Sequence, residues 1–476
     1  MSRTPRVVVV GGGLAGLAAA IGCSDGGAAV TLIESRPRLG GATWSFERNG
    51  LMFDNGQHVY MRCCTAYRRF LDRVGSAEHA PLQDRLAIPV LRPDAGGGEP
   101  VTSWIKRSAL PSPLHLGSSL LSYRHLPLAD RLQLGRAALA LRRLRTTDES
   151  LDDETFAHFL ARHGQSVSAI ERLWDLIALP TVNVRAREAS LALAAKVFKT
   201  GLLEENDAAD LGWSRVPLSE LHAEPARAVL ERAGATIRTK AKVSEILHGP
   251  ASGQGAGRVT GVVVDGEVIE ADAVVLAVPH EVAAKLLPST GTVRVPASLA
   301  GLGRSPIVDV HIVYDRRVVH HEVAAAVDSP VQFVFDTTAS SGMAPSDGQC
   351  VAVSISGADA EHGLRPEVLI DTYVGALGRL FPAARTARVV DAVVTREHAA
   401  TFRGVPGTRA LRVRPDSGVE GLLVAGAWTD TGWPATMEGA VRSGVAASAG
   451  ALRAVGHMRG ADEIETKPEL AEEVVA

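Results

Sequence analysis

The chain has 476 residues, enough for two or three domains and a large buried core. Lys plus Arg number 50 against 53 Asp plus Glu, a formal charge of −3 that excludes a general nucleic-acid binder, since that class carries a basic excess. Apolar residues at 46% and charged residues at 22% exclude a disordered chain.

Arg3 and Arg6 precede an uncharged run at 7–24 that imitates a signal peptide or a short membrane span. Five of its residues are glycines, and Gly11-Gly12-Gly13 follows only four valines, so a strand, a tight turn and a helix explain it better. The all-valine run at 7–10 predicts a central parallel strand buried on both faces. The Ala/Leu-rich 14–23 predicts a helix, and 30–34 a second strand, which completes a βαβ unit. Residues 44–47 and 51–54 flank Asn49-Gly50, a hairpin signal, and 91–100 reads as a loop.

From about 108 to 202 the pattern is helical, with Asp152 or Asp153 expected to cap a helix ending at Gly164 and another helix at 166–177. A helix over 217–233 should be kinked or split by Pro225. Strands are expected at 236–240, 261–264, 268–270 and 273–278, and alternation across 305–356 predicts antiparallel strands. A helix at 367–380, strands at 389–394 and 421–425, and a helix at 438–455 follow. Residues 461–476, six acids against one lysine, are expected to form a disordered tail. The cysteines Cys23, Cys63, Cys64 and Cys350 show neither a C-x-x-C pair nor metal-ligand spacing; they read as free thiols in a reducing, cytoplasmic setting, and no metal site is expected.

Gly11-x-Gly13-x-x-Gly16 lies between an expected strand and an expected helix. The first glycine permits the turn, the second admits a pyrophosphate to the backbone, and the third lets helix and strand pack closely. The helix start, at Leu14 and Ala15, offers unpaired N–H groups to phosphates. Glu34, 18 residues after Gly16, is placed to accept ribose hydroxyls, which favours FAD or NAD over NADP.

Two further stretches separate FAD from NAD. Ser35-Arg36-Pro37-Arg38-Leu39-Gly40-Gly41, close behind Glu34, and 423–440, running through Gly426, Ala427, Met437 and Glu438, resemble the FAD fingerprints of the amine oxidase and phytoene desaturase flavoproteins. That resemblance implies a Rossmann-like α/β FAD domain assembled from segments near 1–105, 210–290 and 395–460. An α+β substrate domain would come from 106–209 and 291–394. It also implies that the last helix aims its N-terminus at the isoalloxazine, and that the backbone of Val243 meets the adenine. Two positions depart from the pattern: Ala42 stands where an arginine is usual, and Ala427 where an acid usually bonds the ribityl chain.

Asp54-Asn55-Gly56-Gln57-His58, the stretch 212–221 and Trp428-Thr429-Asp430-Thr431-Gly432-Trp433 onward look like the hydroxysqualene dehydroxylase family, the squalene-associated FAD-dependent desaturases. The resemblance implies an enzyme of squalene and hopanoid biosynthesis that reductively removes the hydroxyl of hydroxysqualene, giving squalene and water as reduced FAD is oxidised. Its substrate would be an apolar triterpenoid, and an electron donor of unassigned kind would be needed. His58 and Asp430 are the candidate acids, with a loop-ordering histidine and a turn cap as the plainer readings. Gly56 and Gln57 are expected at the flavin. Trp428 and Trp433 either stabilise a passing cation through their ring faces or simply pack on the flavin. A carotenoid-like desaturase, an amine oxidase and a non-catalytic prenyl-binding escort of the same fold are the competing readings. Residues 101–147 carry eight basic residues against Asp130 alone, together with leucine-rich runs. That stretch is either a solvated helical face or a peripheral contact with anionic lipid.

Overall fold

A computed structural model describes residues 3–249, 257–287 and 299–457. The acidic stretch at 461–476 and the expected division at 290 lie outside the described residues. The four valines sit in strand Arg6–Val10, at the centre of a five-stranded parallel sheet. Ala29–Ile33 and Ala273–Leu276 flank it, and Thr236–Arg238 and Leu422–Val424 form the edges. Val7 and Val9 pack with helix Leu14–Asp25 and the closing helix Met437–Ala454, while Val8 and Val10 join the core beneath the small antiparallel sheet of Val243–His248, Val259–Val264 and Glu267–Glu270. Burial on both faces is why residues 7–10 of the strand are all valine. The two helices cross closely: a Cβ on Gly444 would lie 2.1 Å from the Ala15 carbonyl oxygen.

The second sheet has seven strands, in the order Val389–Thr401, Ser305–Tyr314, Gln349–Ser356, Phe333–Asp336, Val323–Ala326, Ala87–Arg92 and Val101–Lys106. Its long strand Ser305–Tyr314 alternates. Val308, Val310 and Ile312 pack with helix Pro366–Leu380. Val313 packs with Phe53, and the His311 ring lies edge-on to the same Phe53, so this face meets the hairpin Ser45–Arg48/Leu51–Asp54. Asp309 shares that face by period. The architecture is thus a discontinuous Rossmann-like α/β unit joined to an α+β unit.

Several expectations shift. The loop read at 91–100 shrinks to the turn of a hairpin whose strands belong to the seven-stranded sheet, so the expected division at 105 falls inside a strand; the one at 395 cuts Val389–Thr401. Neither Asp152 nor Asp153 caps helix Phe156–Arg162. The Thr155 hydroxyl accepts from His158 N, while buried Asp152 accepts from Ser190 Oγ and, at 2.7 Å, from Arg409 N. The helix expected at 166–177 continues through Pro180 to Val182, with a wide π turn at Ile170–Trp174. The helix over 217–233 is not split at Pro225: a π turn at Ser219–Ala223 runs directly into Glu224–Arg232, with right-handed helical backbone at both Ala223 and Glu224. Among the described residues no helix is long and apolar enough to cross a membrane.

Candidate functional site

Parallel strands put their carboxyl ends at one edge, where the following loops converge. Gly11, with φ +106°, turns the chain there; a Cβ on it would lie 2.3 Å from the Ala277 oxygen, and one on Gly16 would lie 1.8 Å from the Gly11 oxygen. Helix Leu14–Asp25 starts at Gly13 with no side-chain cap and no acid in its first turn, which leaves the N–H groups of Leu14, Ala15 and Gly16 for an anion. The Glu34 carboxylate, 7% exposed, accepts from Gly12 N and Arg36 N, both at 2.7 Å, and from the Ser35 hydroxyl. Gly40 N donates to the Gly12 oxygen and Gly40 bridges Gly13, folding the 36–41 loop over the turn. Ala241 N and Lys240 N donate to the Glu34 and Arg36 oxygens, bringing Val243 to the same end.

These residues fit FAD. Gly11 and Gly16 have no room for side chains, the uncapped helix start suits a pyrophosphate, and the Glu34 carboxylate lies beside the turn where a ribose would sit. Buried Gln57 Oε1 and Trp433 Nε1 pair with no other group of the described residues, leaving them for a bound partner. At the two departures, Ala42 is exposed and uses its carbonyl to accept from Asn55 Nδ2 at 2.8 Å. The Arg38 guanidinium nearby donates to the Gly41 oxygen and stacks on Trp44 at 3.8 Å. Ala427 is half-buried at the end of the last strand, next to Gly426, whose N–H donates to Ser443 Oγ at 2.8 Å.

Asn55 carries the site from Ala42 into a polar cluster. Its amide also donates to Glu397 Oε1 at 2.8 Å, which accepts from Trp44 Nε1 as well. The next residues, Gly56 and Gln57, lie on Asp309: Gln57 N donates to Asp309 Oδ1 at 3.1 Å, and a Cβ on Gly56 would lie 3.0 Å from Oδ2. Asp309 is 1% exposed. Burial pushes its carboxyl from an ordinary 3.8 up to about 7, against the Gln57 N–H and a Ser354 hydrogen bond, with Asp54 and Glu397 adding repulsion. Asp54, pushed up to about 6 by burial, accepts from Ser45 Oγ at 2.6 Å and Leu218 N at 2.9 Å, so it ties the hairpin to the 217–219 turn.

His58 does not have the character of an acid here. Its Nδ1 lies 2.8 Å from the Gly56 oxygen, so that nitrogen carries the proton and Nε2 is left to accept. Burial lowers its pKa, keeping the ring neutral at pH 7. A second buried histidine, His222, stands near it, lowered to about 3 by burial and bonded to the Tyr67 hydroxyl at 2.7 Å.

The C-terminal stretch is held from below by Arg412. Its buried guanidinium donates to the Thr429 and Trp433 carbonyls, both at 2.6 Å, and burial lowers its pKa to about 10. Trp428 Nε1 donates to the Val278 oxygen, and buried Lys196 stands 5.1 Å over the Trp433 ring. Asp430 lies half-buried on a cavity of about 40 Å³ lined by Lys196, Arg412 and Asp152, and accepts from Gly432 N in a turn. No hydrogen bond joins it to His58 among the described residues. Glu438, 1% exposed, turns its carboxylate to Ala66 N (3.1 Å), Tyr67 N (2.7 Å) and Arg442 Nε (2.6 Å). It therefore caps helix Thr65–Val74, and what the closing helix offers a flavin is its N-terminal backbone at Met437 and Glu438. Asp309, Glu397, Lys196 and Arg412 are absent from the residues picked out by sequence. Asp309 and His311, set among the apolar residues of 308–313, were the available signal.

The profile of the family described as flavin containing amine oxidoreductase matches residues 14–452. A hydroxysqualene dehydroxylase from Sinorhizobium fredii is 27% identical to this chain, over 92% of it and 96% of the relative. A probable zeta-carotene desaturase from Synechococcus elongatus is 24% identical over 94% and 99%. Among solved structures, an oxidoreductase from Methanosarcina mazei has a TM-score of 0.68 at 17% identity, covering 92% of this chain and 98% of that one, which shows a shared fold.

Proposed function

Because the chain belongs to the flavin containing amine oxidoreductase family, and so is a FAD-binding oxidoreductase, we propose that it acts on an isoprenoid lipid and reductively removes the hydroxyl of hydroxysqualene. Similarity over nearly the whole length to a hydroxysqualene dehydroxylase supports this, and one observation carries it: a buried carboxyl, Asp309, held near neutrality directly against Gly56 and Gln57. An allylic hydroxyl leaves as water only once protonated, and a carboxyl near 7 keeps a sizeable protonated share near neutral pH, where an ordinary aspartate keeps almost none. Removing hydrogen from a hydrocarbon requires no such donor.

FAD, when bound, supplies the two-electron redox chemistry. Asp309 holds the proton. His58 Nε2 accepts a hydrogen bond and orients the hydroxyl. The ring of Trp428 favours positive charge on the allylic carbon, whereas that of Trp433 already faces the Lys196 ammonium and the Arg442 guanidinium. One observation favours the desaturase reading instead: neutral His58, with Nε2 as acceptor, has the character of a base.

The test gives purified protein hydroxysqualene anaerobically with a reductant, a carotenoid precursor with an oxidant, and an amine in air. We expect squalene by mass spectrometry from the first alone. Desaturated carotenoid or peroxide would overturn the reading, and colourless protein that takes up no FAD would identify an escort.

A further inference from the structure

Half of the large apolar side chains exposed on the described surface fall in one short stretch. Leu110, Leu114, Leu121, Leu128, Leu132 and Leu139 are 46–65% exposed, six of twelve such residues. Helix Leu128–Arg143 explains the concentration. It is anchored by Leu134, Ala137 and Leu141. At ~100° per residue, Leu128, Leu132 and Leu139 fall on one stripe nearly opposite that anchor, with Gly135 between them. By the same spacing Arg131 and Arg142 flank the stripe on one side, and Arg136 and Arg143 on the other. The preceding helix Gly117–Leu121 packs on this one, and Arg131 fixes the join by donating to the Leu121 and Leu126 carbonyls at 3.0 and 2.8 Å.

The charge around the stripe identifies the partner. Arg124, Arg136, Arg142 and Arg143 are exposed, and none forms an ion pair among the described residues. The one acid between 106 and 147, Asp130, is half-buried and bonded to Ser166 Oγ at 2.7 Å. A second copy docking through this face would set arginines against arginines. A surface that offers negative charge at its rim and hydrocarbon just beneath complements every part of it.

We propose that the leucine stripe of helix Leu128–Arg143, with Leu110, Leu114 and Leu121, docks in plane on an anionic lipid bilayer, its leucines entering the headgroup boundary and its arginines facing the lipid phosphates. The inference rests on surface geometry and charge, and stands whichever reaction the site performs.

The experiment is co-sedimentation of the full chain, loaded with FAD, with phosphatidylcholine vesicles and with vesicles containing about 30 mol% phosphatidylglycerol. Wild type should pellet with the anionic vesicles and be released by raised salt. Replacing Leu128, Leu132 and Leu139 with Ser should weaken binding at least ~10-fold. Arg136→Glu with Arg143→Glu should abolish the preference for anionic lipid. All five positions are exposed, and melting curves of both variants should match wild type. Wild type that stays in the supernatant with both vesicle types overturns the proposal. So does undiminished binding by both variants, or a wild-type dimer in gel filtration that the serine variant dissociates.

Discussion

Replacing Asp309 with Asn keeps the shape and the acceptor for Gln57 N, and removes the proton. The group is sealed from water, and its carboxyl sits at about 7 against an ordinary 3.8. At ~1.4 kcal/mol per pH unit, full ionisation inside the fold costs on the order of 4 kcal/mol. The sign follows from proton binding. Between pH 3.8 and about 7 the unfolded chain has released this proton while the native protein holds it, so wild-type stability falls as pH rises through that window and levels above it. Asp309→Asn lacks that fall. Denaturant unfolding at pH 5 and pH 8 should therefore show the variant gaining on wild type by ~2–4 kcal/mol between the two. With hydroxysqualene, turnover should drop ~10²–10⁴-fold with flavin retained, the usual loss for a missing general acid. A stability difference independent of pH, together with turnover within ~3-fold of wild type, would refute the reasoning.

Three further substitutions separate roles. Glu438→Ala uncaps helix Thr65–Val74 and removes a partner of Arg442, so unfolding should show a loss of about 2–4 kcal/mol with the flavin spectrum unchanged. Gly16→Ala forces a Cβ to 1.8 Å from the Gly11 oxygen, and the purified variant should retain no flavin, as read by visible absorbance. Asp430→Asn keeps the turn acceptor for Gly432 N and should leave turnover within ~3-fold of wild type; a loss of ~100-fold would restore Asp430 as the acid.

The cofactor half of the molecule was legible because its chemistry is local in sequence. Four valines, three glycines and a glutamate within 28 residues fix a strand, a turn and a carboxylate, and their spacing alone places Glu34 against Gly12. The second sheet was harder to assemble. Residues 87–106 pair next to Val323–Ala326, more than 200 positions away, and no periodicity announces that partner. The site residues failed the same way. Asp309 meets Gln57 across 252 positions and Glu397 meets Asn55 across 342, so neither could be linked to the 55–58 loop before the strands were paired. Glu438 was read as a flavin neighbour because it opens a helix, yet its carboxylate reaches another helix's unpaired N–H groups, a demand that side-chain type alone does not reveal.

The most direct measurement is a single turnover under anaerobic conditions, with enzyme carrying reduced FAD mixed with hydroxysqualene. The account predicts one squalene formed for each flavin oxidised, at a rate that falls as pH rises through about 7 and is pH-insensitive in Asp309→Asn. Flavin that stays reduced while hydroxysqualene is recovered intact would contradict it.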